Sequence, residues 1–169
     1  MDHNSLIDRN TFKVYKHAED CPEMFICDKM IAPAIAVLNK KGYKTFASCS
    51  GHYEITFYEY YDVDINLLDE IKNNNNVIIK EVREDSFDYW KEKEFTVMYV
   101  LLDNNYIFVD IPEGFEVTKM DDNRTQLEYI INYYDKNGKR RKRIDIENEI
   151  EKYSNILKEW ANKLPERKD

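Results

Sequence analysis

Five adjacent residues, Ser48-Cys49-Ser50-Gly51-His52, gather the most reactive side chains of this chain into one segment. A thiol with an imidazole three residues away is the minimum set for nucleophilic catalysis, because the ring can lower the thiol pKa and favour the thiolate. The hydroxyls and the glycine beside them let backbone N–H groups turn inward and face an anion or a carboxylate. Cys49 and His52 are therefore the candidate catalytic pair. Ser48 and Ser50 are candidate hydroxyl donors to a ligand, and Gly51 is the point of close backbone approach. No third, orienting residue can be named from the sequence, so catalysis stays an open question. The plain alternative is a hairpin loop, with Cys49 a buried small residue and His52 a surface ring. No metal is expected, since Cys49 and His52 alone are too few ligands and His3 and His17 would join them only by an accident of folding. No cofactor can be named.

Two further segments carry weaker signals. Lys139-Arg140-Arg141-Lys142-Arg143 is a run of five cations able to grip phosphates. The favoured reading is an edge strand blunted by charge, and Asp145, Glu147, Glu149 and Glu151 downstream partly neutralise it. Tyr53, Phe57, Tyr58, Tyr60 and Tyr61 can stack a base or a flat ligand on a sheet face. Core packing is the favoured reading of that group. A dinucleotide fingerprint, a phosphate loop, a zincin helix and a nucleophile elbow are all missing.

A net charge of −8 sets a field that repels phosphates and membrane surfaces. Nucleic acid is therefore expected as a partner only through residues 139–143. No apolar run approaches the roughly 18 residues of a membrane span. Three cysteines, an odd number, and no basic-then-apolar leader predict reduced thiols in a cytoplasm. The length of 169 residues fits one domain, 1–169, without repeats or linkers.

Positioning the loop requires strands on both sides. A first strand is expected over Thr11–His17, then a helix from Pro22 to Lys41 kinked at Pro33. Strands follow at Tyr43–Ser48 and Glu54–Tyr61. Asp64 caps a short helix to Lys72, and Val77–Val82 is the next strand. This order is the βαββαβ of a ferredoxin-like core in an α+β fold. Glu84–Lys93 reads as a polar, aromatic connection with Phe87, Tyr89 and Trp90. Phe95–Leu102 reads as a central strand with Tyr106–Ile111 as its hairpin partner, extending the antiparallel sheet. Leu127–Tyr134 and Lys139–Ile144 form a C-terminal hairpin around Asn137-Gly138. A final amphipathic helix, capped by Asp145, carries Ile146, Ile150, Tyr153, Leu157, Trp160 and Leu164 on one stripe and stops at Pro165. That stripe is mostly core, with a homodimer face as the alternative.

The stretch from Ile35 through Asn39, Gly42, Tyr43 and Thr45 to Ser48-Cys49-Ser50-Gly51-His52, followed by an aromatic strand, resembles a segment of the wybutosine-synthesising tRNA methyltransferase family. In that family a helix ending in Asn leads to a strand with Tyr and Thr and then to Ser-Cys-Ser-Gly-Arg. The resemblance covers about two dozen residues and implies that Ser48, Cys49, Ser50 and Gly51 line a ligand site. In the family that site serves S-adenosylmethionine-dependent modification of a guanine-derived base. His52 stands where the family has Arg. The segment also resembles small proteins of Firmicutes and their phages. The expected function is small-ligand binding, nucleotide-like or anionic, through residues 48–52. The alternative is a non-enzymatic interaction or inhibitor protein of a bacterium or phage, favoured by the acidity and the missing motifs.

Overall fold

The computed structural model describes residues 4–15, 24–53, 58–74 and 76–167. Among the described residues, ten strands form three antiparallel sheets. The first sheet is β1 (Asn4–Asp8), β2 (Val14–Tyr15) and β3 (Met24–Asp28), in the order β2-β1-β3. Asp8 turns β1 into β2 by accepting the N–H groups of Asn10 and Thr11 on Oδ1, at 2.7 and 2.8 Å. Of the expected strand over Thr11–His17, Val14–Tyr15 form β2 among the described residues, and Lys16 and His17 lie outside them.

The expected long helix is replaced by β3 and a shorter helix, α1 (Ala32–Lys40). Met24 and Cys27 fit a helical stripe, but a short apolar run satisfies either period. Pairing of all five β3 residues with β1 decides for strand. Pro33 occupies the first turn of α1, where its missing N–H costs nothing, so it starts the helix rather than kinking it. At the other end Gly42 N–H donates to the Asn39 carbonyl and Tyr43 N–H to that of Leu38, the bond pair of a Schellman stop.

The second sheet joins β4 (Thr45–Cys49), β8 (Phe95–Leu102), β9 (Glu116–Lys119) and β10 (Thr125–Asn132) in the order β4-β8-β10-β9. Met98, Val100 and Leu102 alternate on its buried face with Leu127 and Ile131. Helices α1 and α3 (Arg143–Lys163) pack together, and their apolar faces join the same core. The expected stripe of α3 is present, with Ile146, Ile150, Leu157 and Trp160 buried. Lys142 rather than Asp145 is its N-cap, and Asp145 sits in the first turn, where a negative charge favours the helix dipole. The expected return strand over Lys139–Ile144 reduces to one bridge, Tyr134 with Arg140, before the helix begins. Tyr106–Ile111 makes no strand, because β4 and β10 already occupy both edges of β8. This segment instead buries Tyr106 and half-buries Phe108, leaving Ile107 and Val109 86% and 99% exposed.

The third sheet is β5 (Tyr58–Asp64), β6 (Val77–Val82) and β7 (Ser86–Glu92), in the order β5-β7-β6. The segment expected as a polar connection is thus a central strand, with Phe87, Asp88 and Tyr89 buried. Asp64 accepts the Asn66 N–H at 2.8 Å and starts a 3₁₀ turn leading into α2 (Leu68–Ile71), as expected. The elements assigned to a βαββαβ core fall into three different sheets, so the ferredoxin-like order is not shown. The α+β class is. No helix among the described residues is long and apolar enough to cross a membrane.

Asp88 is tolerated inside β7 because Arg83 meets both carboxylate oxygens, at 2.8 and 2.5 Å. The Arg83 guanidinium holds the Asp88 carboxyl below its usual range, against the opposing effect of burial and with help from the Tyr60 hydroxyl. A carboxylate with a depressed folded pKa adds stability above its unfolded pKa and loses it as pH falls through the folded value. Asp88→Asn is therefore expected to flatten the fall in urea midpoint between about pH 5 and about pH 2. An unchanged acid slope in that variant would remove this pair from the account.

Candidate functional site

The loop of interest begins where β4 ends. Asn39 fixes the start of β4, because its side chain donates to the Ile35 carbonyl (2.8 Å) and to Thr45 Oγ1 (2.9 Å) and accepts the Thr45 N–H (3.1 Å). Pairing with β8 then carries Cys49 opposite Tyr99. Beyond Cys49 the chain turns at Gly51, which is buried at φ +75°. The backbone of His52 is pinned on both sides. Its N–H donates to Thr96 Oγ1 at 3.1 Å, and its carbonyl accepts the buried Tyr133 hydroxyl at 2.6 Å.

The residue that completes the group is Asp28, at the end of β3. Its Oδ2 accepts the Ser50 N–H at 2.8 Å and lies 3.4 Å from His52 Nε2. The Ser50 hydroxyl reaches the same oxygen at 3.5 Å. Asp28 and His52 are 17% and 43% exposed, so the pair faces solvent on one side. A Cys49 sulfur, a His52 ring nitrogen and an Asp28 carboxylate oxygen all lie within 4.8 Å of one another. The Gly51 N–H also points at the Cys49 sulfur, at 3.4 Å. Such a group can hold a ligand by charge and hydrogen bonding, supply a thiol nucleophile with a base beside it, or chelate a cation.

The five loop residues therefore play different parts. Cys49 and His52 come together with Asp28. Ser50 is buried against Asp28 and bonds its carboxylate. Ser48 faces the other way, with its hydroxyl 3.5 Å from the Cys27 sulfur. Gly51 packs on Thr96 and Ile131. Burial pushes the Cys27 thiol up to about 11; the Ser48 hydroxyl opposes the shift and the Asp28 charge adds to it. Cys27 is thus a protonated, sheltered thiol at neutral pH, chemically unlike the half-exposed Cys49. The Tyr99 phenol is also pushed up, first by burial and then by the neighbouring Cys49 and Asp28.

Asp28, Thr96 and Tyr133 are the contributors that the loop's own sequence does not reveal. The local signal for Asp28 is an acid that closes an apolar run just ahead of Pro33. It becomes legible only once residues 24–28 are a strand. Cys21, His3 and His17 lie outside the described residues, so their proximity to the loop is not described.

Residues of the other two candidate segments make contacts within the chain, while Lys139, Lys142, Arg143 and Tyr60 stay exposed. Arg140 pairs with Glu92, Arg141 with Glu149, and Arg143 with Glu147. Three of the five cations between 139 and 143 therefore meet internal carboxylates. Of the aromatic group, Tyr60 meets Trp90 edge-on at 5.4 Å and Tyr61 stacks on Tyr89 at 5.1 Å, both as cross-strand partners in the third sheet. Tyr53 meets Tyr133 edge-on. Phe57 and the side chain of Tyr58 lie outside the described residues. A concavity of about 210 Å³ lined by Tyr43, Phe108, Trp160 and Leu164 involves none of the loop residues. No family model matches the chain, and no curated protein or solved structure matches it either.

Proposed function

We propose that the Ser48–His52 loop, completed by Asp28, is a small-ligand site built around the Cys49 thiol. The observation that carries this reading is the meeting of sulfur, ring nitrogen and carboxylate oxygen within 4.8 Å, with each side chain partly open to solvent. Cys49 is the contacting or reacting atom. His52 is the acid, base or anion contact. Asp28 orients His52 and holds the Ser50 amide. Ser48, Ser50 and Gly51 set the loop's shape from behind. The ligands that suit the group are small and anionic or electrophilic, nucleotide-like molecules included.

Thiol chemistry tests the reading. Alkylation with iodoacetamide, followed by peptide mapping, is expected to label Cys49 and to spare Cys27. His52→Ala and Asp28→Asn are each expected to slow labelling of Cys49 about tenfold, the size of one lost charge-assisted contact of roughly 1.5 kcal/mol. Equal Cys49 rates in all three chains, or preferential labelling of Cys27, count against the proposal.

A further inference from the structure

Asp28, Cys49 and His52 offer zinc's ligand set, one thiolate, one imidazole and one carboxylate. Among the described residues they are the one group of three such side chains close enough to share an ion. We infer that they form an open, three-ligand site for a divalent transition metal of the zinc class, with the fourth position left to water or substrate. This rests on the ligand-site reading above and names its occupant.

A chelating site and a thiol–imidazole–carboxylate relay ask different things of the imidazole. A relay uses the two ring nitrogens in opposite directions, one toward the nucleophile and one toward the carboxylate. Here one ring nitrogen of His52 lies within 4.8 Å of both the sulfur and the carboxylate oxygen. Three donor atoms around one point make a chelating arrangement. Bonds of about 2.0–2.2 Å at tetrahedral angles put neighbouring N and O ligands about 3.3–3.5 Å apart. The His52 Nε2 to Asp28 Oδ2 distance is 3.4 Å.

The supporting contacts are those a metal site uses. The Ser50 N–H holds the Asp28 carboxylate at 2.8 Å, as an outer hydrogen bond orients a ligating oxygen. Thr96 and Tyr133 fix the His52 backbone, so this stretch of the loop is already held in place before an ion arrives. Cys49 and His52 are separated by two residues, a short chelate loop of the kind zinc sites use, and Gly51 provides its bend. Asp28 comes from a separate strand, so ion binding would clamp β3 to the end of β4. Partial exposure of all three leaves room for a fourth ligand. On binding, the Cys49 S–H proton goes to buffer as the metal–sulfur bond forms.

The test titrates the full chain, stripped of metal by chelation, with Zn²⁺ alone against a chromophoric competitor, and with Co²⁺ alone by absorbance. The expected result is one equivalent of metal per chain, about one proton released near neutral pH, and a sulfur-to-cobalt charge-transfer band. Cys49→Ser is near-isosteric and is expected to lose that band. His52→Ala and Asp28→Asn are each expected to weaken Zn²⁺ at least about tenfold, with folding checked by circular dichroism. His3→Ala with His17→Ala is expected to keep the metal. Full Zn²⁺ affinity in Cys49→Ser and His52→Ala, or no uptake by the parent chain, overturns the metal assignment. If uptake fails while Cys49 alkylation still depends on His52, the thiol site stands without a metal. If both fail, the ligand-site reading falls as well.

Discussion

Gly51→Val is expected to lower stability by roughly 2–5 kcal/mol, the combined scale of backbone strain and overpacking, and to abolish selective labelling of Cys49. Gly51 sits at φ +75°, a region where a β-branched residue is strongly strained. A Cβ there would meet Ile131 Cδ1 and Thr96 Cγ2, both at 3.3 Å. Ile131 is fully buried, and Thr96 holds the His52 N–H, so neither can retreat without disturbing the site. Urea unfolding followed by far-UV circular dichroism measures the stability loss. Gly138→Ala supplies the control, because Gly138 has the same φ of +75° and nothing within 4 Å of its added Cβ. That variant isolates the backbone cost, about 1 kcal/mol. Equal midpoints for the two variants would show that the packing around Gly51 is looser than described.

Trp160→Ala is expected to cost about 3–5 kcal/mol, the range for deleting a buried large aromatic. Trp160 is 8% exposed and lies on the buried stripe of α3. Its indole N–H donates to the Asp110 carbonyl at 2.9 Å, and Phe108 meets the ring edge-on at 5.0 Å. One side chain thus ties the connection between β8 and β9 to the last helix. Trp160→Phe keeps much of the ring and loses the hydrogen bond, so a smaller loss of about 1 kcal/mol is expected from it. If both variants unfold at the parent's urea midpoint, this contact does not hold the connection in place.

Elements with a sustained local pattern could be placed from the sequence. Phe95–Leu102 reads as a central strand and is one, paired on both sides by β4 and β10. The α3 stripe at three- and four-residue spacing lies on the core. Val77–Val82 matches its strand at both ends. Elements whose identity depends on a distant partner were misplaced. Met24–Asp28 has an apolar run compatible with helix or strand, and only β1 resolves it. Ser86–Glu92 looks polar because it carries Asp88, and that charge is admissible only with Arg83 at hand. Tyr106–Ile111 alternates like a strand, yet no sheet edge remains for it beside β8.

The same division holds at the site. Cys49 and His52 are three residues apart, at most about 11 Å between their Cα atoms, and the turn at Gly51 brings their side chains together. Their types and spacing were enough to single out the segment. Asp28 is 22 residues from the Ser50 amide that it accepts. Side-chain periodicity reports which face of its own element a residue occupies, and is silent on which other element will lie against that face. Bringing that carboxylate to the imidazole depends on β3 coming to lie beside β4. That is a long-range packing event, and it adds a carboxylate oxygen to the sulfur and ring nitrogen that the loop itself supplies.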